Sequence, residues 1–197
     1  MAELTPTRSA LLELRDERHA MQEGYAFLDE KRLLLAAEII RQLRLYEEAA
    51  DRHDALYRQA CEALQAAVLR HGLEGLQCYP PADLATAALR VERRVLLGVV
   101  LQQAVLEGGA DGPAAASPSP EAESCRRLFA QAVRQAATLA ALSGNLERLR
   151  QEYLRTERRT RALEDVLIPE LEQSLAGLET RLDEAEREEL IWGRPRK

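Results

Sequence analysis

Apolar residues recur along the first third of the chain at Leu11, Leu14, Met21, Tyr25, Leu28, Leu35, Ile39 and Tyr46, in alternating steps of three and four. That spacing places them on one stripe of an α-helix and has the period of a coiled-coil seam. Arg18 and Arg32 fall on the same stripe, and two arrangements fit them: polar seam residues that fix the register, or a stripe that rotates and leaves both exposed. The ladder continues more weakly through Leu56, Ala60, Leu64 and Ala67. Thr5 or Thr7 can cap this helix, Pro6 suits its first turn, and Gly72 is placed to end it in a left-handed conformation. A second ladder runs through Leu128, Val133, Leu139, Leu142, Leu146, Leu149 and Leu154. It resumes at Leu163, Leu167, Leu171, Leu175, Leu178 and Leu182, starts near Pro120, and ends at Gly193 and Pro195.

Between the ladders the pattern changes. The stretch GLEGLQCYPPADL reads as a connector, and LRVERRV alternates Leu89, Val91, Arg93 and Val95 as a strand does. Gly98 follows, at a position that suits a bulge or a close backbone approach. VVLQQAVLE then suits a second strand or a short helix, and GGADGPAAASPSP is loop by composition. The predicted organisation is a helix over 1–71, a connector with a short helix, a hairpin and a loop over 72–120, a helix over 121–192, and a basic tail over 193–197. Helices of this length run to about 95 and 105 Å, whereas a ball of this mass has a radius of gyration of about 16 Å. The pattern therefore predicts a rod. Each helix is apolar on one stripe only, so an antiparallel two-helix coiled coil with a small β-hairpin insert is the fold that covers both.

Composition supports that picture and excludes several functions. Of the 197 residues 30% are charged and only 4% aromatic, a balance typical of long helices. The net charge is −6, evenly spread, which argues against a nucleic-acid binder. Cys61, Cys78 and Cys125 are far apart and odd in number, so neither a disulfide framework nor a zinc site is indicated, and a reducing cytoplasm fits. The opening segment is charged throughout, unlike a signal peptide, and the longest apolar run, residues 95–101, is too short to insert in a membrane. His19, His53 and His71 are spaced too widely to share a metal and suit the surface. No P-loop, GxSxG or HExxH motif occurs and no cleft gathers carboxylates, so no catalytic, cofactor-binding or metal residue is assigned.

Pro169 interrupts the second ladder without ending it. A mid-helix proline removes a backbone hydrogen bond and presses its ring on the preceding turn at a cost of about 3 kcal/mol. It suits either a break between two ordinary helices or a deliberate bend. The basic run Arg148, Arg150, Arg155, Arg158, Arg159 and Arg161 is interleaved with Glu147, Glu152 and Glu157. It reads either as a solvated face with local pairs or as a contact for acidic partners. Arg8 and the tail residues Arg194, Arg196 and Lys197 compensate a helix dipole or meet a partner.

The stretch RRTRALEDVLIPELEQSLAGLETRLDEAEREEL resembles the C-terminal helix of the D subunit of V-type and archaeal-type ATPases. The match runs through Arg158, Arg159, Ala162, Leu163, Glu164, Leu167, Ile168, Pro169, Leu171, Glu172, Leu182, Asp183, Glu184, Arg187 and Glu188. In the N-terminal stretch Pro6, Thr7, Arg8, Leu11, Leu14, Gly24, Leu28, Lys31 and Arg32 fall where that family has them, and RVLLGVVL is similar to its central strand. Departures occur at Asp16, Glu17 and Glu23, where the family is more basic, near Leu101, where it has a proline, and at Asp165, where an aromatic is common.

The resemblance implies a non-catalytic central rotor axle, cytoplasmic and peripheral to the membrane, that couples ATP synthesis or hydrolysis to ion transport. Its tip would enter the hexamer of catalytic A and B subunits, with Arg8, Leu11, Leu14, Leu182, Arg187 and Leu190 at the cavity. Its lower part would bind the F subunit and a funnel-shaped socket subunit on the membrane rotor ring, with Arg148, Arg155, Arg158, Arg159 and Arg161 as possible contacts and Pro169 as the shaft bend. No nucleic acid and no direct membrane insertion are implied. The competing reading is a generic coiled-coil scaffold or tether, which predicts a seam between chains rather than within one.

Overall fold

The computed structural model describes residues 7–80, 86–109 and 115–192, with side chains to residue 188. The chain is mainly helical: α1 (Arg8–Leu76), β1 (Ala88–Leu96), β2 (Val99–Glu107), α2 (Pro120–Ala162), a π-turn (Leu163–Leu167) and α3 (Ile168–Trp192). It divides into two units, Met1–Leu34 with Tyr153–Lys197, and Leu35–Glu152.

Thr7 starts α1 by accepting the Ala10 N–H on its Oγ1 at 3.2 Å, a cap worth about 1 kcal/mol. Pro6 and the tail lie outside the described residues. At Gly72 the backbone turns to φ 71° and ψ 166°, so the regular helix ends where the sequence predicts, in an extended positive-φ conformation rather than the left-handed helical one. Pro120 opens α2 as predicted, behind Ser119, whose Oγ accepts the Ala122 N–H at 3.4 Å.

In the first unit a stripe of covered positions on α1 runs through 11, 14, 18, 21, 25, 28 and 32, flanked by the covered Ala10, Gly24, Asp29 and Lys31. In the second unit the stripe runs through 35, 39, 42, 46, 49, 53, 56, 60, 63, 67 and 71, flanked by the covered Ala36, Glu38, Ala50 and Val68. Every step is three or four, so the stripe does not rotate. Arg18 and Arg32 stay on it, half-buried, which corrects the alternative that left them exposed. The Arg18 Nε is buried without a partner, and Arg32 turns back to Asp29 at 2.5 Å. Ala63 takes the covered place expected of Leu64, which is 39% exposed. His53 and His71 also lie on the stripe, half-buried, against the expectation of surface histidines.

Contacts within each unit link α1 to the later helices, and the partner's number falls as the α1 number rises. In the first unit Arg8 and Arg15 reach Glu186 and Glu179, each at 2.7 Å. In the second, Tyr57 packs edge-on against Phe129 at 6.3 Å, Arg70 bonds Glu121 at 2.5 Å, and His71 Nε2 meets Ser119 Oγ at 2.7 Å.

The hairpin pairs β1 and β2 antiparallel, from Leu96↔Val99 to Ala88↔Glu107. Two residues, Leu97 (φ 51°) and Gly98 (φ 84°), close it, so both adopt positive φ as a type I′ turn requires. Gly98 therefore serves a turn and not the bulge expected from the sequence, and a Cβ there would meet nothing within 4 Å. Leu97 is the costly residue, because a branched side chain at positive φ is strained by about 1–2 kcal/mol. Leu97→Asn is expected to raise thermal stability by roughly 1 kcal/mol, measured by calorimetry, with Leu97→Gly gaining less.

Candidate partner interface

The hairpin is held by side chains rather than by a third strand. A two-residue turn makes Leu96↔Val99 a hydrogen-bonded pair, and alternation then points the N–H and C=O of Val100, Gln102 and Ala104 away from β1. Helix α2 covers that edge. Asn145, 2% exposed, accepts the Gln102 N–H at 2.7 Å and donates to the Gln102 carbonyl at 2.8 Å. Arg148 donates from Nε to the Val100 carbonyl at 2.8 Å and from its other end to Asn145 at 2.7 Å. Thr138 donates to the Ala104 carbonyl and Arg134 to that of Gly108, at 3.3 and 3.4 Å. Val99, Leu101 and Ala104 of β2 are buried.

β1 presents the opposite case. Every residue from Ala88 to Val95 is exposed, so the alternation that predicts this strand does not mark a buried face. Leu89, Val91 and Val95 are 58%, 39% and 68% exposed.

Near the turn, Glu38 gathers Arg41 at 2.6 Å, Gln42 at 2.9 Å and Arg94 at 3.4 Å. The Arg41 bond, helped by Gln42 and the two guanidinium charges and opposed by burial, holds the Glu38 carboxyl below the usual carboxylate range. A lowered native pKa contributes stability above the unfolded value, about 4.3, that is lost as pH falls through the native one. Stability is thus expected to decline below pH ~4.3, and Glu38→Gln to flatten that decline in pH-dependent urea unfolding. Glu121 is lowered likewise, first by its own backbone N–H at the start of α2, and then by Ser119 and Arg70.

Of the residues expected at the tip, Arg8, Leu11 and Leu182 share one groove. A groove of about 540 Å³ is lined by Arg8, Leu11, Leu12, Arg15, Glu179, Leu182, Asp183 and Glu186. The Glu186 bond and charge raise the Arg8 pKa, yet both side chains are exposed, so the pair is screened by water. Leu14 is half-buried and Arg187 exposed, and the Leu190 side chain lies outside the described ones. In the first unit Phe27, Leu33 and Leu34 on α1 and Val166 and Leu167 in the π-turn are exposed.

The arginine run divides. Arg148 is committed to the hairpin edge, Arg161 pairs with Glu157 at 2.7 Å, and Arg155, Arg158 and Arg159 are exposed. Arg134, Thr138 and Asn145 carry no sequence signal that the ladder reading could use.

Pro169 is half-buried, and the helix before it departs from α geometry over Leu163–Leu167, where the Ile168 N–H bonds the Leu163 carbonyl five residues back. This places the irregularity N-terminal to the proline. The stripe of covered positions runs 156, 160, 163, then 168, 171, 175, 178 and 182, with Glu157 and Pro169 beside it. One step of five therefore interrupts threes and fours, Ile168 takes the place expected of Leu167, and the π-turn absorbs the extra residue.

Among the described residues no helix is long and apolar enough to cross a membrane, and no group of three or more His, Cys, Asp or Glu side chains could hold a metal ion.

The family model for the ATP synthase D subunit matches residues 10–193. The D subunit of the A-type ATP synthase of Methanopyrus kandleri is 29% identical over 195 residues, 97% of this chain and 84% of that protein. That of Thermococcus gammatolerans is 31% identical over 199 residues, 95% of this chain and 92% of that protein. The D subunit of the V-type ATP synthase of Thermotoga neapolitana is 27% identical over 193 residues, 95% and 94% of the two. With a continuous three-four stripe on α1, a two-stranded hairpin, and a match over nearly its whole length, this chain belongs to the family of ATP synthase D subunits.

Proposed function

We propose that the chain is the central rotor axle of a V-type or archaeal-type ATP synthase, with α1 pairing along α2 and α3 as an antiparallel coiled coil within one molecule. The observation that carries this is the stripe of covered positions on α1, unbroken in its three-four stepping from Leu11 to His71. A stiff pair turns the sequential closing of catalytic sites into rotation, or the reverse, without binding nucleotide itself. The partners are the A and B subunits at the Arg8–Glu186 tip, with Leu11, Leu14, Leu182, Arg187 and Leu190, and the F subunit and the socket subunit lower down, where Arg155, Arg158 and Arg159 are exposed. The protein works at the cytoplasmic side of the membrane, peripheral to it. Pro169 and the π-turn make the shaft uneven, so that it presents different faces to different catalytic sites.

Cys61 and Cys125 test the pairing. Tyr57 meets Phe129, with Cys61 one turn after Tyr57 and Cys125 one turn before Phe129; burial, and then the neighbouring Cys61 sulfur, push the Cys125 thiol up. In Cys78→Ser protein a short bifunctional thiol reagent is expected to join Cys61 to Cys125 within one chain. Cross-links only between chains would favour a tether instead. The axle role is tested by assembling the chain with A, B and F subunits. ATP-driven rotation of a probe on this chain is expected, with Pro169→Ala assembling normally but altering the coupling of ATP to ion transport. A chain that stays fixed during turnover overturns the reading.

A further inference from the structure

The two edges of the hairpin are treated differently. The β2 edge is satisfied by α2 side chains, with Asn145 supplying both an acceptor and a donor to Gln102. Register and the two-residue turn put Leu89, Val91, Arg93 and Val95 on the outer edge of β1, with their N–H and C=O groups pointing away from β2. None of these backbone groups has a partner among the described residues, and all four side chains are exposed. Natural sheets shield such an edge by shortness, charged side chains, a bulge, a proline or a covering element. Here the strand is nine residues long, pairs in unbroken register and contains no proline.

We propose that the β1 edge is a strand-acceptor site, where an extended acidic segment of another component of the ATP synthase adds a third strand. Charge selects the occupant. In a chain of net charge −6, β1 carries Arg90, Arg93 and Arg94 against Glu92 alone. Arg94 has Glu38 at 3.4 Å, and Arg90 pairs with Glu92 and Glu107 at 3.5 and 3.7 Å. Arg93 has no ion-pair partner among the described residues and stands between Val91 and Val95 on one face of the strand. An incoming strand would set apolar side chains beside Leu89, Val91 and Val95 and a carboxylate beside Arg93, with backbone bonds giving affinity and side chains giving selection. A second copy of β1 is disfavoured, because it would bring arginines against arginines. The inference rests on membership in a multisubunit ATP synthase and not on the axle role, so either can fail alone.

Amide exchange followed by mass spectrometry tests it, on the isolated chain and on the complex assembled with the other soluble subunits. The outward amides at positions 89, 91, 93 and 95 are expected to exchange at least about ten-fold more slowly in the complex. The inward amides at 90, 92 and 94 are bonded to β2 in both states and serve as the internal standard. Val91→Pro removes one outward donor without touching the β1–β2 ladder, and is expected to abolish the slowing at 89, 93 and 95. Arg93→Glu keeps every backbone group and is expected to reduce the slowing while the inward amides hold. Outward amides that exchange equally fast in the complex overturn the proposal. So does slowing in the isolated chain that grows with its concentration, which would mean a second copy. Slowing unchanged by Arg93→Glu overturns the acidic partner. If Val91→Pro speeds the inward amides, the hairpin itself has failed and Arg93→Glu alone decides.

Discussion

Asn145→Ala is expected to cost about 2–4 kcal/mol, because it strips the partners from a part-buried N–H and the C=O of the same residue at once, each worth about 1–3 kcal/mol when left unmade. Gln102 loses the acceptor at 2.7 Å and the donor at 2.8 Å, and Arg148 loses the Asn145 oxygen that steadies it against the Val100 carbonyl. For a chain of this size the loss corresponds to a fall in melting temperature of roughly 4–16 °C. Asn145→Asp separates the contributions. It keeps an acceptor for the N–H and attracts Arg148, but sets a carboxylate against the Gln102 carbonyl, so its stability should fall between wild type and alanine. Exchange at the Gln102 amide should quicken in the alanine variant and stay slow in the aspartate one. An alanine variant as stable as wild type would mean that water already satisfies this edge.

Nothing in the sequence pattern singles out Asn145. It sits among Leu142, Leu146 and Leu149 on a helix whose ladder is legible, and its partner strand lies 43 residues earlier. The helices, the hairpin and their order were readable because each follows from a local period, of three and four or of two. What joins them was not, since a side chain bonding a distant strand edge leaves no period. The β1 alternation marks the right element although neither face of the strand is buried, so the period alone identified it. Arg18 and Arg32 show the opposite fault. Their charge suggested a rotating stripe, but the step arithmetic, unbroken across both, outweighs two polar side chains with stems long enough to cover apolar surface. One groove does join residues from the two ends of the chain, Arg8, Leu11, Leu12 and Arg15 with Glu179, Leu182, Asp183 and Glu186.

Single-residue deletions should separate the π-turn from the rest of the second ladder. Deleting Gln173 turns everything after it by about 100° relative to Leu171, so Leu175 and Leu178, each 5% exposed, leave the covered stripe. At about 1.5–3 kcal/mol per leucine, those two alone cost about 3–6 kcal/mol. Deleting Val166 is different, because it removes the residue that the π-turn holds in excess and shortens the step from 163 to 168 to an ordinary four. The covered stripe then stays in phase, but Pro169 is forced into a regular helix against the carbonyl four residues before it, at about 3 kcal/mol. The same deletion combined with Pro169→Ala should recover that loss and melt near wild type as an uninterrupted α-helix. Pro169→Ala alone should keep the π-turn, since the phase of Leu171, Leu175, Leu178 and Leu182 still demands the extra residue. Thermal unfolding of the four variants decides the matter. If the Val166-deleted Pro169→Ala protein loses as much stability as the Gln173 deletion, the wide turn is not a phase correction. If it holds, the proline follows from the turn, occupying a place in the helix where a missing N–H costs least.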